Sequence, residues 1–144
     1  MRLILLVPFI CSAALIGCDV NTTVTTTHDE EKTREVLDHH MAAFQANDLE
    51  ATMSDYTAES ILITPDNTAK GLEQIRSNFE GAFKAFPKDS ITMTVTKTVV
   101  NGDVAYIIWQ ATTPTFKMVY ATDTFIIKNG KITRQTFAGM AEPL

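Results

Sequence analysis

The chain has 144 residues, with 17 acidic against 12 basic side chains and a formal net charge of −5. That length suits one domain with its own core. An acidic balance with scattered lysines argues against nucleic acid as a partner, and against docking on anionic lipid by charge alone.

Met1-Arg2 makes a short positive start, and Leu3 to Ile16 is apolar apart from Ser12. The run is too short to cross about 30 Å of hydrocarbon as a helix, which takes about 20 residues. It has the layout of a secretory signal and is set aside from the fold. Leu15-Ile16-Gly17-Cys18 closes it and resembles the bacterial lipobox, where the signal is cleaved and the cysteine acylated. A buried N-terminal helix or a plain secretory signal are the alternatives, and the helix would need a polar face that this run lacks. The expectation is a lipoprotein signal peptide over residues 1–17 and a lipid on Cys18. That anchors the protein in the bacterial cell envelope, at the periplasmic face of the inner membrane or at the outer membrane. Asp19 after the cysteine resembles an inner-membrane retention signal in enteric-type bacteria. Cys11 leaves with the signal and Cys18 is acylated, so no thiol or disulfide chemistry remains.

Residues 18–30 read as a threonine-rich tether, extended or disordered, that spaces the domain from the membrane. A helix then runs from about Asp29 to Asn47, capped by His28 or Asp29. Leu37, Met41 and Phe44 mark its buried stripe, and His40 falls about 60° from the stripe's centre. His39 falls on the solvent side. Asp48 starts a second helix, Leu49 to about Tyr56. Ser60 to Thr64 reads as a strand stopped by Pro65-Asp66-Asn67. Gly71 to Phe86 makes a third helix, ended by Pro87. Ile91, Met93 and Val95 alternate with threonines as in a half-buried strand. Strands over Val104 to Thr113, Phe116 to Lys128 and Ile132 to Met140 follow, with turns at Asn101-Gly102 and Asn129-Gly130. The layout is α+β, with three helices covering one face of a curved sheet and leaving a cavity for a small ligand.

Asn47-Asp48-Leu49-Glu50-Ala51, Tyr56-Thr57-Ala58-Glu59-Ser60 and Lys70-Gly71-Leu72-Glu73-Gln74-Ile75 with Phe79 resemble the opening of the nuclear transport factor 2-like superfamily. Asp123-Thr124-Phe125 and Lys128-Asn129-Gly130-Lys131-Ile132 resemble its closing hairpin. The nearest branch is the SnoaL-like and ketosteroid isomerase-like one, and the likeness covers a domain over residues 31–144. It implies a cone-shaped, curved antiparallel sheet covered by three helices and enclosing a pocket. It also implies a homodimer through the sheet face. The fold hosts isomerases, cyclases, dehydratases and binding modules, so it leaves the function open.

Carried over by position, the isomerase general base falls on Thr64, before Pro65. Threonine cannot act as a base at neutral pH. The two oxyanion-hole positions of the isomerases fall on His40 and Asp123. The cyclases use an acid elsewhere, and Thr133 to Ala138 supplies none. His40 and Asp123 could therefore meet in the cavity as a general acid/base pair, or as a satisfied polar pair in a binding wall. Tyr56, Tyr106, Trp109, Tyr120 and Thr64 are the candidate ligand-binding residues. Tyr106 and Trp109 lie on opposite faces of one strand unless a bulge intervenes. His28, His39 and His40 have no metal-ligand spacing, so no metal or cofactor is expected.

Two functions follow. One is an envelope-anchored domain that binds a small apolar or amphipathic molecule without chemistry. The other is a SnoaL-like isomerase, cyclase or hydratase working through His40 and Asp123.

Overall fold

The computed structural model describes residues 22–144, with side chains from residue 29 onward. Cys18, Asp19 and the signal segment lie outside the described residues. The elements are helix α1 (Thr22–Gln45), helix α2 (Leu49–Ser54), strands β1 (Tyr56–Ile63) and β2 (Thr68–Lys70), helix α3 (Gly71–Ala85), and strands β3 (Thr92–Asn101), β4 (Val104–Thr112), β5 (Phe116–Lys128) and β6 (Lys131–Pro143). Helix α1 begins at Thr22, so the threonine tract is helical where an extended tether was expected. Extending an existing helix costs little per residue, because nucleation is the expensive step.

The six strands form one sheet in the order β2-β1-β6-β5-β4-β3. Strands β3 to β6 are the expected antiparallel meander. Strand β1 pairs with β6 in parallel, which the meander pattern did not foretell. Strand β2, three residues long, was too short to read from periodicity.

The curvature has a local cause. The register shifts between Val95 and Lys97, between Trp109 and Ala111, and between Met118 and Tyr120. These bulges sit side by side in three neighbouring strands, and each bends its strand. Side chains of the bulged residues satisfy carbonyls that the ladder leaves. Thr96 Oγ1 donates to the Ile108 carbonyl at 3.2 Å, and Gln110 Nε2 donates to that of Val119 at 2.8 Å.

The helices pack into the concave side. Leu37, Ile75 and Phe79 meet Leu62, Ile107, Phe125 and Ile132 in one buried cluster. Asn47 holds the open end of α1 against the end of α3. It adopts φ +51°, a left-handed conformation that asparagine tolerates. Its amide donates to the Phe86 carbonyl at 3.0 Å and accepts from the Lys88 amide at 2.7 Å. Asp48 caps α2 through the Ala51 amide at 2.9 Å.

Candidate functional site

Helices and sheet enclose a cavity of about 650 Å³. Phe44, Phe79, Ala82 and Phe86 line it from the helices, and Trp109, Met118, Phe125 and Phe137 from the sheet. Thr64, Pro65, Asp66 and Asn78 also border it. Its polar groups converge at His40, Asp123 and Gln135. An apolar cavity with a few convergent polar groups is the usual form of a small-molecule site.

Alternation places the pole. Ala121, Asp123 and Phe125 share the inner face of β5, and Gln135 faces in from β6. Asp123 is 6% exposed. Its Oδ2 accepts from the Trp109 indole at 2.8 Å, and its Oδ1 accepts from Gln135 Nε2 at 2.8 Å. Burial pushes the Asp123 carboxyl above its usual value, while the Trp109 and Gln135 donors and the His40 charge pull it down.

His40 does not bond Asp123, contrary to the direct pair that the sequence suggested. Its Nδ1 lies 3.3 Å from Asp55 Oδ2, and its Nε2 lies 3.5 Å from the Tyr56 hydroxyl. That hydroxyl donates to Gln135 Oε1 in a short hydrogen bond. The route from His40 to Asp123 thus passes through Tyr56 and Gln135. Beyond His40, Asp55 Oδ1 also meets His39 Nδ1 at 2.8 Å. His39 is half-exposed, as expected for the solvent side, so a polar chain reaches from the surface to the cavity. The His40 ring is held edge-on against Tyr56, Phe79 and Phe125, with centroids 5.6, 5.7 and 5.4 Å away.

Donor counting limits the protons in this chain. Tyr56 donates its one proton to Gln135, and Gln135 in turn donates to Asp123. Burial, then the charges of Asp123 and Asp55, keep the Tyr56 phenol well above its usual pKa, so it remains a neutral link.

The other candidates divide. Thr64 and Trp109 line the cavity. Tyr56 is buried behind its wall and acts through hydrogen bonds. Tyr106 and Tyr120 do not line it. They stand on the convex face, where Tyr106 hydrogen-bonds Tyr120 and Thr122. Strand alternation puts Tyr106 opposite in facing to Trp109, and the bulge after Met118 turns Tyr120 outward.

Asp55 and Gln135 were not foreseen. The expected second helix, Leu49 to about Tyr56, includes Asp55, but α2 stops at Ser54 and Asp55 is its C-cap. Gln135 lies in a segment that supplies no acid, and its odd spacing from Ile132 hides its inward facing, which follows from the register shift opposite Ile126 and Ile127. Among the described residues, no group of three or more His, Cys, Asp or Glu side chains could hold a metal ion.

Residues 37–135 match the family model of a SnoaL-like domain. No curated protein matches the chain. Among solved structures, one from Kribbella flavida, described only provisionally as a ketosteroid isomerase, is 16% identical. Its TM-score is 0.66, over 78% of this chain and 80% of that one. One from Sinorhizobium meliloti, described provisionally as a polyketide cyclase, is 20% identical, with a TM-score of 0.63 over 72% of this chain and 94% of that one. A de novo designed protein with a curved β-sheet is 19% identical, with a TM-score of 0.65 over 76% and 86%. At these identities the likeness concerns the fold alone.

Proposed function

This chain belongs to the SnoaL-like family, and we propose that it holds a small apolar or amphipathic molecule in its cone without transforming it. The observation that carries this reading is the apolar cavity of about 650 Å³ with Asp123, Gln135 and His40 gathered at one pole. The pole orients the ligand, and the apolar walls supply the affinity. The lipobox-like Leu15-Ile16-Gly17-Cys18 supports anchoring through a lipid on Cys18, with the domain at the envelope. A second copy docked on the sheet face completes the assembly. The exposed Ile63, Val99, Tyr120 and Met140 support that interface. Native mass spectrometry of the purified protein tests both points. It should report a dimer and a small-molecule adduct, whereas a bare monomer that binds no added apolar probe would refute them.

The unbroken hydrogen-bond chain from His40 to Asp123 favours acid/base chemistry as a second reading. The chain would let Asp123 exchange a proton with a ligand at the cavity while Gln135 and Tyr56 hold the carboxyl in place. Turnover of a cyclic ketone or enol, abolished in Asp123→Asn and depressed in Tyr56→Phe, would establish it over simple binding.

A further inference from the structure

We propose that the cone selects ligands by charge: it takes a cationic or neutral head, such as an ammonium or hydroxyl on an apolar body, and rejects anionic amphiphiles such as fatty acids. This rests on the ligand-binding reading above and specifies its ligand class. The charged and titratable side chains that face the cavity are Asp123 from β5, Asp66 from the β1–β2 turn and His40 from α1. Asp55 and Tyr56 lie behind His40. Among the described residues, no lysine or arginine lines the cavity.

The hydrogen-bond inventory points the same way. Each Asp123 oxygen already accepts one bond, from Trp109 or Gln135, and an ionised carboxylate offers about four acceptor sites. Acceptor capacity is therefore left over at the pole. The Trp109 N–H is spent on Asp123, and His40 is turned toward Asp55 and Tyr56. A ligand carboxylate there would lie against Asp123 with no lysine or arginine to answer it and with both His40 nitrogens turned to Asp55 and Tyr56, a costly burial. An ammonium would pair with Asp123 instead. The raised pKa of Asp123 is consistent with a poorly hydrated pole, where such a pair counts most. The net charge of −5 also favours the approach of cations.

Three probes on one apolar cage test the claim: 1-adamantylmethylamine, 1-adamantanemethanol and 1-adamantanecarboxylate. Trp109 is the only tryptophan and bonds Asp123, so its fluorescence reports from the site. In titrations of the purified full chain at neutral pH, the amine should bind roughly tenfold or more tighter than the carboxylate, with the alcohol between. Asp123→Asn should abolish the advantage of the amine over the alcohol. Should that variant fail to fold, a pH series on the wild type serves. Affinity for the amine should fall as acid protonates Asp123, while affinity for the alcohol stays level. Equal binding of all three, or preference for the carboxylate, overturns the charge rule and leaves the binding reading standing. Binding of none of the three refutes the binding reading and the rule together.

Discussion

Tyr56→Phe removes one buried hydroxyl and no volume to speak of. In the wild type that hydroxyl donates to Gln135 Oε1 and meets His40 Nε2 at 3.5 Å. The variant loses about 1 kcal/mol for the hydrogen bond and strands the Gln135 oxygen in a buried wall, which costs roughly 1–3 kcal/mol more. The long His40 contact adds little. The expected loss is therefore about 2–4 kcal/mol. Urea unfolding followed by Trp109 fluorescence measures it, with an unchanged slope marking an unchanged fold. Tyr106→Phe is the control, because its hydroxyl bonds Tyr120 and Thr122 on the convex face. It should cost less than about 0.5 kcal/mol. Tyr56→Phe within about 0.5 kcal/mol of the wild type would show that the buried chain is not formed in solution.

The remaining predictions concern the pole, the floor and the anchor. Burial raises the Asp123 carboxyl, so the folded state binds that proton more tightly than the unfolded one. Its contribution is full below the ordinary carboxylate value and is lost as pH rises through the folded value. Wild-type stability relative to Asp123→Asn should therefore decline as pH is raised from about 4, as followed by thermal unfolding across a pH series. A flat difference would contradict the shift. A Cβ on Gly139 would meet Met118 Sδ at 2.8 Å, Phe137 at 3.1 Å and the Tyr120 carbonyl oxygen at 3.2 Å. Gly139→Ala should cost about 1–3 kcal/mol through overpacking, measured by urea unfolding. Cys18→Ala should move the protein from the membrane to the soluble fraction on cell fractionation, and retention in the membrane would count against the lipobox.

Much of this fold was legible because its signals are local. Alternation set Tyr106 and Trp109 on opposite faces of one strand, and the stripe of Leu37, Met41 and Phe44 set His40 beside the covered face. Asn-Gly turns fixed two hairpins, and the positive φ of Gly102 and Gly130 agrees. What escaped notice depends on contacts between distant segments. The parallel pairing of β1 with β6 joins residues more than 70 positions apart, and no local pattern announces it. The same pairing brings Tyr56 to Gln135 and so decides that His40 reaches Asp123 indirectly. The outward turn of Tyr120 depends on a bulge, which shifts alternation by one residue. Asp55 depended on where a six-residue helix ends, a boundary that short elements leave poorly marked.

Ligand capture is tested most directly by titrating the purified protein with N-phenyl-1-naphthylamine, a neutral probe that brightens in apolar surroundings, beside an Ala82→Phe variant. Ala82 lines the cavity from α3, and a phenyl ring there would fill much of the space. The account predicts saturable binding with one site per chain, energy transfer from Trp109, and loss of both in Ala82→Phe. Unsaturable brightening that is the same in both proteins would contradict it.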